Sequence, residues 1–119
     1  MNEENYNNAN TRTIKERMTK AFRELRKLNI IAKQNFLCCQ SCGVSAISEE
    51  MEKKQMRGYA FYHRQDNDNL LKEGSVYISY SDVEIGRLVC DKLQTAGLNI
   101  MWDGNIQNRI QVIGINRKL

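Results

Sequence analysis

Cys38, Cys39 and Cys42 lie within one short stretch, Phe36 to Ile47, and hold three of the chain's four sulfurs. Thiols so spaced have two chemistries. The first is thiol redox: Cys39-x-x-Cys42 at a strand-to-helix junction sets sulfur beside free backbone N–H groups and the positive helix end, which favours thiolate. The second is metal binding, in which Cys39, Cys42, His63 and either Cys38 or Cys90 supply four N/S ligands to a tetrahedral zinc ion. Each has an argument against it. A thioredoxin-type site leans on a cis-proline facing its cysteines, and the chain has no proline. A strong zinc signature has two close-spaced pairs, and only one is present. The plainer alternative is packing: adjacent residues on a strand face opposite ways, so one of Cys38 and Cys39 turns inward as a small apolar side chain. Cys90 falls beside a helical apolar stripe and reads as structural.

Two other groups carry chemistry. His63-Arg64-Gln65-Asp66 joins the single histidine to a carboxylate, which suits acid–base work if the imidazole enters a cleft; a capped surface turn explains the same residues and is the preferred reading. Trp102, Asp103 and Arg109 form a second candidate surface, since Trp and Arg are frequent interface anchors. No glycine-rich phosphate loop, nucleophile elbow or helical His pair accompanies them.

Periodicity supplies the elements that position these groups. Residues 1–10 are Asn-rich and read as a disordered tail, leaving 11–119 as a single domain. Thr13 and Glu16 form a capping-box pattern ahead of Ile14, Met18, Phe22 and Leu25 at helical spacing. Ile30–Leu37 reads as a strand, Ser41 to about Gln55 as a helix, Tyr59–His63 as a strand, and 64–73 as a polar connection with room for a helical turn through Leu70 and Leu71. Ser75–Tyr80 is a third strand. Ser81 and Glu84 cap a helix that Gly97 closes, and Leu98–Trp102 and Arg109–Ile113 complete a hairpin.

The order matches the split βαββαβ arrangement. The expected architecture is therefore α+β: a ferredoxin-like βαββαβ core with an N-terminal amphipathic helix and a C-terminal hairpin strand. With right-handed crossovers the first two strands run parallel and the third lies between them. The thiols and His63 then share one sheet edge, with Trp102, Asp103 and Arg109 at the other.

Composition narrows the function classes. At 119 residues, 41% apolar and 27% charged, the chain suits one soluble globular domain, and no apolar run is long enough to span a bilayer. The N-terminus lacks a basic-then-apolar leader, which implies a cytoplasmic protein with reduced thiols. Net charge is +4, and seven basic residues fall between Arg12 and Lys27 against two acids. That face could grip phosphates. Aromatic residues do not interleave with the charges, so a solvated helix face is the better reading and nucleic acid is the third-ranked partner.

Phe36 to Ile47 with its Cys-Cys-Gln-Ser-Cys-Gly core, Gly58 to Asp66, Val76 to Tyr80, Ala96-Gly97-Leu98, Trp102-Asp103-Gly104 and Arg109-Ile110 together resemble an uncharacterised bacterial family, a domain of unknown function. The likeness spans residues 12–113, with Val44 where a larger aromatic is usual. It implies an intracellular bacterial protein and no particular activity. It also implies that Cys38, Cys39, Cys42, His63, Gln65 and Asp66 belong to one site. The leading expectation is thus a non-enzymatic binding or interaction module, able to form a homodimer, with the Cys/His edge meeting a protein or small-molecule partner. No cofactor is required; zinc, on Cys39, Cys42 and His63, is the one the residue types suit, and thiol redox is its rival.

Overall fold

The spacing of apolar residues sorts the chain into nine elements. The computed structural model describes the backbone of residues 3–116 and the side chains of residues 11–116. In order these are α1 (Glu3–Lys27), β1 (Ile30–Lys33), α2 (Gln40–Lys54), β2 (Gly58–Phe61), α3 (Arg64–Glu73), β3 (Val76–Tyr80), α4 (Val83–Thr95), β4 (Leu98–Met101) and β5 (Ile110–Ile115). The chain is α+β, as its pattern implies. The expected tail at 1–10 lies partly outside the described residues; from Glu3 onward the backbone already belongs to α1, so Thr13 sits inside that helix and does not start it.

Three local expectations change. β1 ends at Lys33, four residues early, because Asn35 and Leu37 take left-handed φ values of 49° and 59° that no strand accommodates. The polar connection at 64–73 is a complete helix, α3, with His63 as its N-cap and Gly74 in left-handed conformation at its end. α4 is capped by Asp82, whose Oδ1 accepts from the Ile85 N–H at 2.9 Å. Ser81, the expected cap, instead accepts from the Tyr59 N–H at 3.0 Å and ties β2 to the start of α4.

The sheet order is β1-β2-β3-β5-β4. β1 and β2 pair directly and in parallel, Ile30 opposite Gly58 and Lys33 opposite Phe61, while the other three pairings are antiparallel. This corrects the expected insertion of β3 between β1 and β2, and with it the ferredoxin-like strand order. The physical reason lies in α2: its Ile47 packs on Ile31 of β1 and Phe61 of β2 in one buried cluster, which leaves no slot for a strand between them. A parallel pair needs a covering crossover, and α2 is that cover.

The opposite face carries the larger core. Ile30, Ala60, Ile78, Tyr80, Ile110 and Val112 meet Met18, Phe22 and Leu25 of α1, Leu70 of α3, and Ile85, Val89 and Leu93 of α4. On its own face of the sheet α2 touches β3 at its end, where the Ser79 hydroxyl donates to Gln40 Oε1 at 2.9 Å, and farther across the sheet Tyr77, Ile113 and Met101 face solvent. Among the described residues no helix is long and apolar enough to cross a membrane.

Close approach of α2 to the sheet depends on Gly43. A Cβ there would fall 2.9 Å from Cζ of the fully buried Phe61 ring. Gly43→Ala is therefore expected to destabilise the fold by about 1–3 kcal/mol of overpacking, in spite of the roughly 1 kcal/mol that Ala gains over Gly in a helix. Urea unfolding measures this, and combining it with Phe61→Leu should cost less than the sum of the two single changes; strict additivity would show that the ring is not the obstacle.

Candidate functional site

The site lies where β1 and β2 end together. Beyond both strands the pairing continues irregularly: the Tyr62 N–H donates to the Lys33 carbonyl at 3.3 Å, Phe36 N–H to Tyr62 O at 2.9 Å, and Arg64 N–H to Leu37 O at 3.0 Å. These bonds hold the 34–38 loop against the start of α3. They bring Cys38 and His63 within one residue of a shared hydrogen bond, Arg64 to Leu37, so the expected convergence of the two segments is realised in the backbone.

The cysteines occupy a loop and a helix start, not a strand. Cys39 is the N-cap of α2, in extended conformation and without a side-chain cap bond, while Cys42 lies in the first turn. Cys38 and Cys42 are exposed and Cys39 is half-buried, so the reading of Cys38 or Cys39 as inward core packing is overturned. The strand that would have turned one sulfur inward has already ended. The Cys38 Sγ is 3.7 Å from Cys39 Sγ and 3.5 Å from Cys42 Sγ, and all three sulfurs lie within 4.8 Å of one another. Ser41 adds its hydroxyl 3.6 Å from Cys39 Sγ.

This arrangement splits the thiols electrostatically. The Cys42 backbone N–H, then the Ser41 hydroxyl and the Cys42 and Cys38 thiols, favour the anion at Cys39 and lower it from 9.0 to about 7. Hydrogen bonding to Cys38 and Cys39, and their negative charge, push Cys42 up to about 11. Cys90, half-buried on α4 beside the larger core, is raised to about 11 by burial and takes no part in the triad.

His63 has different partners. Its Nδ1 accepts from the Asp66 N–H at 3.3 Å, its own N–H donates to Asp66 Oδ2 at 3.2 Å, and its Nε2 is 3.1 Å from the same oxygen. Acceptance at Nδ1 places the proton on Nε2. This is a capping box with histidine as the cap, buried at 5% and 2% exposure for His63 and Asp66. Arg109 closes it, its Nη1 donating to Oδ1 at 3.2 Å and Oδ2 at 3.0 Å of Asp66 while its guanidinium lies over the Tyr77 ring. Both imidazole nitrogens face Asp66, so His63 stands with Asp66 and Arg109, and the sulfurs form a separate group. Gln65 is exposed on the first turn of α3.

The second candidate surface divides as well. Trp102 packs edge-on to Tyr80 and donates from Nε1 to its hydroxyl at 2.9 Å, and Asp103 ties down the following loop through the Asn105 N–H at 2.9 Å and Asn108 Nδ2 at 2.8 Å. Those two hold the β4–β5 connection together. Arg109, expected at the opposite edge, reaches α3 because Ile110 of β5 pairs with Ile78 of β3, level with the end of β2. Sequence spacing carried no sign of this contact across 43 residues, whereas a cap involving Asp66 was expected, in a surface turn and with Asn67 rather than His63 as its companion. The Ser41 contact was likewise missed.

Chemically, three thiolates fit a metal. A Zn–S bond of about 2.3 Å sets tetrahedral sulfur–sulfur edges near 3.8 Å, and two of the triad's edges stand at 3.5 and 3.7 Å. Among the described residues this is the one such cluster of ligand atoms. The basic face of α1 offers less: Arg12, Lys15 and Arg23 line an open groove of about 540 Å³ with Leu71, and Arg17 is spent on the Gly97 carbonyl at 2.7 Å.

Two outcomes follow from this geometry. In metal-free, reduced protein, alkylation of Cys39 by iodoacetamide should rise through a midpoint near pH 7, the thiolate being lost below it, while Cys42 and Cys90, held up to about 11, stay slow. Peptide mapping of label against pH reads this, and equal profiles at Cys39 and Cys90 would refute it. Asp66→Ala should cost about 2–4 kcal/mol in urea unfolding by uncapping α3 and stranding buried donors. Arg109→Ala should cost less, because that side chain is 35% exposed and its pair is screened by water.

Comparison with known proteins gives a family and nothing closer. No curated protein matches the chain, and no solved structure does. A family model matches residues 2–118, nearly the whole chain, and takes in both the cysteine triad and the His63–Asp66 cap. The chain therefore belongs to the family described as Domain of unknown function (DUF6891).

Proposed function

We propose that the chain is a non-enzymatic metal-binding module that takes one zinc ion on Cys38, Cys39 and Cys42, with the fourth coordination position turned to solvent. One observation carries this reading: three sulfurs meet in an exposed knot with edges of 3.5 and 3.7 Å, close to those that zinc–thiolate bonds require. Cysteine is among the most buried residue types, and three together at the surface serve no packing. Thiolate donors select zinc or another soft ion over magnesium or calcium. His63, the one imidazole, meets Asp66 through both ring nitrogens, which supports a binding role over acid–base catalysis. Free thiols of this kind suit a reducing, cytoplasmic compartment.

The test is a chelator-competition titration of reduced protein with zinc near neutral pH. One equivalent should bind, and Cys38→Ala, Cys39→Ala and Cys42→Ala should each weaken binding by roughly a hundredfold or more, with Cys90→Ala unchanged. Affinity should fall as pH drops through 7, because protons then compete for Cys39. Absence of stoichiometric zinc, or equal loss in Cys90→Ala, would overturn the assignment.

A further inference from the structure

We infer that low-molecular-weight disulfides of the glutathione type are a second reactant of the triad, and that exchange with them ejects the metal by closing a bond with Cys42 at one end. The inference rests on the zinc reading for its consequence, though the exchange itself needs only the three thiols. Its first support is access. Cys38 and Cys42 are exposed and Cys39 is half-buried, so a small disulfide can reach them.

Its second support is which bonds the backbone allows. Disulfides span Cα separations of about 4.4–6.8 Å, and neighbours across a trans peptide are held at about 3.8 Å. A bond between the adjacent Cys38 and Cys39 would close a strained eight-membered ring, which disfavours that pair despite sulfurs 3.7 Å apart. Cys42 is not so constrained. Its Sγ is 3.5 Å from that of Cys38, and with Cys39 it forms the C-x-x-C spacing across the first turn of α2. Closing to a bond of about 2.05 Å takes about 1.5 Å of sulfur movement, within reach of surface side-chain rotation. Cys42 is therefore common to both intramolecular disulfides that avoid this strain.

The reaction balances in two steps. The thiolate of Cys38 or Cys39 attacks one sulfur of the external disulfide; that S–S bond breaks, one small thiolate leaves, and a mixed disulfide forms. The Cys42 thiolate then attacks the protein sulfur of the mixed disulfide and expels the second small thiolate. Two protein thiolates are oxidised and one external disulfide is reduced to two thiolates. From the zinc-bound state the products also include Zn²⁺, because the one thiolate left cannot hold it. Metal and disulfide are mutually exclusive occupants of the same loop.

Intact-mass measurement of Cys90→Ala protein exposed to glutathione disulfide tests this. Metal-free protein should lose two hydrogens and retain no adduct. Cys38→Ala and Cys39→Ala in that background should do the same, each keeping one partner for Cys42. Cys42→Ala should instead accumulate glutathione adducts with no internal bond. Zinc-loaded protein should release zinc to a chromophoric chelator in step with the loss of hydrogens. An internal disulfide in the Cys42→Ala protein, or stable adducts on the parent, would overturn the inference. Oxidation through Cys42 in a protein that binds no zinc would leave the exchange standing and sink the metal reading alone, so the two failures are distinguishable.

Discussion

The direct parallel pairing of β1 with β2 is the constraint on which the rest of the structure depends. Two parallel neighbours deliver their following segments to the same end of the sheet, about 5 Å apart. One segment is the loop that carries the cysteines; the other is the start of α3. Had a third strand stood between them, as the order of elements alone allowed, those segments would have left two strand spacings apart, out of reach of the hydrogen bonds that now join Phe36 to Tyr62 and Leu37 to Arg64. The cover that permits this pairing is α2, and the same helix presents Cys39 and Cys42 at its N-terminus. Pairing, cover and thiol position are thus one arrangement.

Within that end of the sheet, charge is divided between two neighbouring groups. Asp66 is a buried carboxylate, and its oxygens meet the His63 backbone, the His63 ring and the Arg109 guanidinium. An ionised group taken out of water needs this degree of satisfaction. The result fixes α3 to β5 and holds the imidazole in place. The thiols have the opposite surroundings. They face water, draw on one another and on the first turn of α2 for stabilisation of charge, and touch no buried ion pair. The histidine expected to join Cys39 and Cys42 as a ligand is occupied by a structural task.

Legibility in the sequence tracked the range of the interaction. Where a few neighbouring residues decide the outcome, the pattern was readable: the apolar stripes of α1 and α4, the alternation of Val76, Ile78 and Tyr80, and the membership of Cys38, Cys39 and Cys42 in one cluster. Local competition was harder. Ser81 and Asp82 are both good caps, and Asp82 won because the Ser81 hydroxyl is engaged by β2. The polarity of 64–73 concealed α3, whose apolar contribution to the core is one leucine, Leu70, anchored by caps at both ends. Nonlocal facts were not readable at all. Strand order depended on how α2 packs across Ile31 and Phe61, and the contact of Arg109 with Asp66 depended on the register of β5 against β3.

The exposure of the triad separates the readings that sequence left level. A cysteine retained for packing belongs under a helix, as Cys90 does, where burial suppresses ionisation and reaction. Three sulfurs left outside, on a loop that passes through left-handed conformations at Asn35 and Leu37, run against both the solvent preference of thiols and the backbone preference of the residues before them. Phe36 of the same loop packs edge-on against Phe61 in the second cluster, but the sulfurs add nothing to that cluster of Ile31, Ile47 and Phe61. What the loop secures is the approach of three sulfurs to one point in water. That geometry is the one the proposed ion and the proposed disulfide exchange both require.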